Sequence, residues 1–252
     1  MSIESILSIV FAFLGLIFGA LLAVFTQSKH EKFVQYAESL ASGFMLAVVF
    51  FDLLPNANEN AEFITVFFGL LAGIVTILLF NKISNREMCT NSTKYAIMKK
   101  IDSSKPQSRN DSKRLMAGLT TAFAVALHNI PEGIALGSLN GQEVLISTAI
   151  LIALHNIPEG VAMSIPLARI GVKWYKVLFF ALITGACTVL GWGIGVLVGG
   201  ISKEFIAFML AISSGAMLQI VFGDLITEMQ NKNCGNITLL GLLFGMVIAT
   251  LV

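Results

Sequence analysis

The sequence predicts an all-α integral membrane protein: eight transmembrane helices in an inverted 3+2+3 repeat, with kinked central helices 4 and 5. Three observations carry that prediction. The 252 residues are 56% hydrophobic and 12% charged, with a mean hydropathy of +0.84, whereas soluble domains carry about 25% charged residues. About eight apolar runs reach the roughly 20 residues that a bilayer span requires. Two sequence patterns each occur twice, in spans that run in opposite directions.

The first span covers about residues 5–27 and carries Gly15 and Gly19, a spacing that lets helices approach closely. Glu4 is the only charge ahead of it, so it reads as a retained span and not a cleaved leader. The second span covers about 36–54 and is expected to end at Pro55, which has no N–H to continue a helix. The third covers about 62–80. Residues 81–114 are the one long polar stretch, with Lys82, Arg86, Lys94, Lys99, Lys100, Lys105, Arg109, Lys113 and Arg114. They read as a mobile basic loop with a short helix near 95–101. The fourth span (115–139) and the fifth (144–168) are joined by a turn at Asn140-Gly141. The sixth (175–198), the seventh (205–226) and the eighth (237–252) complete the chain. No room is left for a soluble domain, so residues 1–252 form a single transmembrane domain.

Of the sixteen Lys and Arg residues, every one except Lys203 falls in an odd-numbered connection between spans. The positive-inside rule then places the long loop in the cytoplasm and both termini outside. The net charge of +1 gives no footing for a nucleic acid or other polyanion. Cys89, Cys187 and Cys234 form no C-x-x-C pair, which argues against a disulfide framework or a zinc knuckle.

The chemistry concentrates in a hexapeptide used twice: His128-Asn129-Ile130-Pro131-Glu132-Gly133 and His155-Asn156-Ile157-Pro158-Glu159-Gly160. The chain has only three histidines, and two are here. On a helix His128 and Glu132 share a face, as do His155 and Glu159. An imidazole and a carboxylate at that spacing make half of a metal site. Pro131 and Pro158 cannot donate to the carbonyls of Leu127 and Leu154, so each helix is expected to kink at its motif. Ionisable groups at membrane depth mark ion or proton paths. The alternative is a pair of structural kinks with a buried His–Glu hydrogen bond.

A second pattern links the second and seventh spans. Ser42-Gly43-x-Met45-Leu46-x-x-Val49-Phe50-x-Asp52-Leu53 recurs as Ser214-Gly215-x-Met217-Leu218-x-x-Val221-Phe222-x-Asp224-Leu225. By the topology above these spans run oppositely, as do the fourth and fifth. Both repeats are inverted, an arrangement typical of secondary transporters with broken helices at the midplane. Asp52 then lies toward the outer face and Asp224 toward the inner, as acidic attractors or as capped helix ends.

The paired His-Asn-x-Pro-Glu-Gly motifs, Gly43-x-Met45-Leu46 and the polar loop after the third span together resemble the ZIP (Zrt/Irt-like) family of divalent metal transporters, in its bacterial and archaeal branch. The resemblance covers nearly the whole chain. It implies that His128, Glu132, His155 and Glu159 are metal ligands, that Asn129 and Asn156 line a neighbouring second position, and that Met45 is an auxiliary thioether ligand. One departure stands out. Family members with two metals often carry a Glu in the sixth span, within Gly-x-x-Glu-Pro-Leu-Gly; here Gly185-Ala186-Cys187-Thr188-Val189-Leu190-Gly191 puts Thr188 at that place. A neutral hydroxyl weakens a second metal position and favours one principal site.

The expected function is uptake of a divalent metal into the cytoplasm across the cell membrane, with zinc first and Fe2+, Mn2+ and Cd2+ after it. The metal is substrate, not cofactor. No P-loop for ATP is present. A passive metal-selective pore is the nearest alternative. An intramembrane metalloenzyme is a remoter one, because His-Glu-x-x-His is absent. The partners expected are the ion, the lipid bilayer and, through Gly-rich faces of the sixth and eighth spans, a second copy of the chain.

Overall fold

The computed structural model describes residues 3–26, 31–89, 109–138, 142–198, 202–225 and 235–251; within them, the side chains of some residues, His155 and Asp224 included, are outside the description. Among the described residues the structure is helical with no strand, as the composition requires. In chain order the helices are α1 (Ile3–Phe25), α2 (Glu31–Val48), α3 (Leu54–Asn60), α4 (Phe63–Cys89), α5 (Arg109–Ser138), α6 (Gln142–Arg169), α7 (Trp174–Val198), α8 (Lys203–Ile220) and α9 (Gly235–Leu251). Four stretches among them are long and apolar enough to cross a membrane: Tyr36–Asn60, Phe63–Ile83, Trp174–Leu197 and Lys203–Gly223. Ile9–Phe25 and Asn236–Val247 are shorter apolar helices. Large side chains such as Phe67, Phe68 and Leu71 on α4, and Phe179, Ile183 and Leu190 on α7, face outward.

Three boundaries differ from the sequence expectation. The second span does not end at Pro55. A π-helical turn, Val49–Leu53, follows α2, and the Leu54 N–H bonds back to the Val49 carbonyl. That wider turn moves the carbonyls which the Pro55 ring would strike, and α3 carries the helix on to Asn60. The third span runs on to Cys89 and the fourth begins at Arg109, so both ends of the 81–114 stretch are helix and not loop. A helix that leaves an apolar layer still satisfies its own backbone, and the polar residues there impose no stop. The short helix expected near 95–101 lies outside the described residues.

The repeat extends into the backbone itself. A second π turn, Val221–Leu225, follows α8, and it holds Asp224 at the place where the first holds Asp52. The helix contacts are paired in the same way. Gly19 of α1 lies against the Ile157 carbonyl of α6, and Gly191 of α7 lies against the Ile130 carbonyl of α5; a Cβ on either would sit 2.1 Å from that oxygen. Gly43 and Gly241 make such contacts between α2 and α9, as do Gly215 and Gly73 between α8 and α4. The sequence offset from Ser42 to Ser214 is also that from Gly19 to Gly191, so the repeat covers the first and sixth spans too.

The central pair α5 and α6 is thus clasped by α7 and α1, with α2 and α8 alongside. Near one end, Asn81 and Thr120 share a 2.6 Å hydrogen bond, and the rings of Phe80 and Phe123 stack at 4.1 Å, tying α4 to α5. The main core cluster includes Met45, Val49, Ala124, Ala162, Met217 and Val221, which draws both π turns and the central pair into one buried interior.

Candidate metal site

Both motifs are helical throughout, with Pro131 inside α5 and Pro158 inside α6. Four-residue spacing puts Glu132 under His128, and their Nε2 and Oε1 atoms are 2.9 Å apart. Glu159 reaches across from α6, with its Oε1 3.4 Å from the same Nε2. His128, Glu132 and Glu159 are 0%, 4% and 1% exposed. One imidazole and two carboxylates from two helices therefore meet in the interior.

The asparagines are anchored symmetrically. The Asn129 side-chain amide donates to the Thr184 carbonyl of α7 at 3.1 Å, and the Asn156 amide donates to the Ala12 carbonyl of α1 at 2.9 Å. Each bond is followed a turn later by a glycine at a backbone contact: Gly133 against the Thr188 carbonyl, Gly160 against that of Leu16. The motif's Asn and Gly together fix how each central helix sits on its outer neighbour. The amide oxygens of Asn129 and Asn156 are left buried without a hydrogen-bond partner.

Met45 is buried in the cluster that also holds Ala124, a turn before His128, and Ala162, just after Glu159. Asp52 lies in the first π turn and accepts a 2.7 Å hydrogen bond from the Asn56 side chain. The side chains of His155 and Asp224 lie outside the described residues; their backbones belong to α6 and to the second π turn. Sequence reasoning passed over Glu38, a carboxylate 3% exposed within the Tyr36–Asn60 stretch. Its spacing was a usable signal, since Glu38, Met45 and Asp52 follow one another at seven-residue intervals.

Among the described residues no group of three or more His, Cys, Asp or Glu side chains is placed to hold a metal ion as it stands. A tetrahedral zinc about 2.0–2.1 Å from each N or O ligand holds those ligand atoms about 3.3 Å apart. The Glu159 separation already matches that, and the Glu132 contact must open by a few tenths of an ångström.

The model of the family described as ZIP zinc transporter matches residues 84–252. The chain belongs to that family. Among relatives, it is 30% identical over 247 residues to "Zinc transporter ZupT" of Corynebacterium aurimucosum, covering 91% of this chain and 88% of the relative. It is 30% identical over 243 residues to "Zinc transporter ZupT" of Lysinibacillus sphaericus, covering 91% and 89%. It is also 30% identical over 131 residues to "Zinc transporter ZTP29" of Arabidopsis thaliana, covering 50% and 48%. The ZIP expectation drawn from the paired motifs therefore holds. The family is one of membrane transporters, which sets the metalloenzyme alternative aside for this ZIP chain.

Proposed function

We propose that this protein carries zinc into the cytoplasm through a site made by His128, Glu132, His155 and Glu159 between α5 and α6. Asn129 and Asn156 line the neighbouring position, Met45 supplies an auxiliary thioether, and Asp52 and Asp224 draw cations toward the two mouths. The observation that carries this reading is the buried meeting of His128, Glu132 and Glu159. Two carboxylates balance one dication, and imidazole with carboxylate suits zinc ahead of Fe2+, Mn2+ and Cd2+. The relatives' names support zinc as the cargo.

In this reading residues 1–252 are one transport domain in the cell membrane. The basic stretch within 81–114 is cytoplasmic and both termini are outside, as the charge distribution favours. Inward movement of a dication along an inside-negative potential releases about 4–5 kcal/mol per 100 mV, so no ATP is needed. The paired repeat favours rocking of α5 and α6 against the outer helices over a fixed pore.

Purified protein in liposomes loaded with a zinc-sensitive dye tests the reading. Zinc entry is expected to be saturable and to be lost in a His128→Ala, Glu159→Ala double variant. Undiminished entry in that variant would place the path elsewhere, and flux that rises without saturation would favour the pore. Entry should also fall as external pH drops from about 7 to about 5, because protons compete with zinc for the same imidazole and carboxylate atoms. A flat profile would mean these groups do not hold the ion.

A further inference from the structure

Glu38 is a buried carboxylate that the transport reading does not use. It stands just inside one end of the apolar stretch Tyr36–Asn60, near enough to that end for its side chain to turn to water, yet it is only 3% exposed. The outward face of α2 here is that of Tyr36 and Leu40, both exposed. With 3.6 residues per turn, Glu38 points within about 20° of Met45 and away from those two.

The residues beside Glu38 fix where that face lies. Ala37 packs against the cluster of Ala23 and Ile165, as Val161 does. Ala41 and Met45 belong to the main cluster with Ala162 of α6 and Val221 of the second π turn. Glu38, between Ala37 and Ala41 in the chain, therefore lies on the face that α2 turns to α6 and to that π turn. At 1.5 Å per residue it is about 10 Å along the helix from Met45, on the side away from Asp52.

Packing does not call for a charge at this place. The repeat offset that carries Met45 to Met217 and Asp52 to Asp224 carries Glu38 to Leu210. Leu210 is buried in the main core cluster. An apolar side chain thus fills the matching place in the other half, and because the repeat is inverted that place lies toward the opposite end of the path. A carboxylate held out of water at membrane depth is costly, and such groups mark ion paths.

We propose that Glu38 is an ion-binding residue on the cytoplasmic side of the trio, whose carboxylate takes up the divalent cation as it leaves Glu132 and Glu159. The inference rests on the proposed transport site and its orientation. An ion that leaves two carboxylates for an uncharged wall gives up its ligands before water replaces them. Glu38 supplies an anionic oxygen at that step. The departing ion then meets Glu38, where the entering ion passes Leu210. Because the ion comes close to Glu38 only after it has left the trio, the carboxylate acts on release more than on binding.

The test follows initial zinc entry into dye-loaded proteoliposomes over a range of external zinc concentrations. Glu38→Gln is expected to lower the maximal rate at least about tenfold, the scale of one unit charge lost beside a dication, while the half-saturating concentration rises no more than about twofold. Glu38→Asp keeps the charge and should stay within about threefold of the wild-type rate. Glu38→Leu copies the residue found at the counterpart position, so it should unfold at the wild-type temperature and transport as slowly as Glu38→Gln. Should the Gln variant fail to insert, the Leu variant carries the same expectation. A wild-type maximal rate in Gln or Leu, or a fall in Asp equal to that in Gln, would overturn the exit role. So would a loss that lies wholly in the half-saturating concentration. Failure of both Gln and Leu to fold would make Glu38 a structural residue and overturn it as well. Zinc entry surviving the His128→Ala, Glu159→Ala change would instead overturn the transport site, so the two failures are distinguishable.

Discussion

Glu159→Gln is expected to lower zinc entry into proteoliposomes at least about a hundredfold, and Glu132→Gln to do nearly the same. The amide keeps the shape and one oxygen but removes the charge. At an effective dielectric near 20, unit charges about 4 Å apart interact by roughly 4 kcal/mol, and each 1.4 kcal/mol is tenfold. Both carboxylates are buried within 3.4 Å of the same imidazole nitrogen. Removing either leaves a dication with a net positive charge in a poorly solvated interior. Titration calorimetry should show zinc affinity falling in parallel, since the loss is in binding. Wild-type rates in Glu159→Gln would mean that the ion crosses without meeting α6. A large loss in one variant only would mean that the two motifs are unequal ligands despite their matching sequence.

The buried meeting of His128, Glu132 and Glu159 was legible because membrane sequences are nearly all apolar. His, Asn and Glu inside such runs stand out, and four-residue spacing turns them into a shared face without any tertiary knowledge. Helix positions were legible for the same reason. Helix ends were not, because α4 beyond Phe80 and α5 before Leu115 are polar helix, and hydropathy carries no contrast between polar helix and polar loop. Pro55 was misread because the rule for proline assumes α-helical spacing, and the π turn at Val49–Leu53 changes which carbonyl lies in its way. The asparagines were placed near the ion by resemblance, but their anchoring to Thr184 and Ala12 could not be read from the chain. Those bonds join residues 55 and 144 positions apart, and only the repeat relating α1 to α7 predicts that the two form as a pair. Glu38 was overlooked because one carboxylate close to the end of a span looks like a solvated terminus until burial is known.

The largest loss of stability from a single change outside the candidate site is expected for Gly191→Val. A Cβ at Gly191 would lie 2.1 Å from the Ile130 carbonyl oxygen and 3.0 Å from its carbon, both backbone atoms of α5 that cannot rotate away. The helices must separate, and overpacking of this kind costs about 3 kcal/mol or more. Gly193→Val, two residues on in the same helix, is the control, because a Cβ there meets nothing within 4 Å. Helix propensity changes equally in both, so the difference between them isolates the contact. Thermal unfolding in detergent should put the two far apart, with Gly193→Val close to wild type. Gly19→Val should match Gly191→Val, since its Cβ would meet the Ile157 carbonyl at the same 2.1 Å. Equal stability of Gly191→Val and Gly193→Val would refute the close α5–α7 packing, and with it the placement of Asn129 and Thr188. Damage at Gly191 without damage at Gly19 would break the symmetry of the two clasps. The glycines and the buried trio depend on the same packing: the outer helices come close enough to hold the asparagines only where a side chain is missing. That closeness fixes α5 and α6 at the depth and rotation that let His128, Glu132 and Glu159 meet.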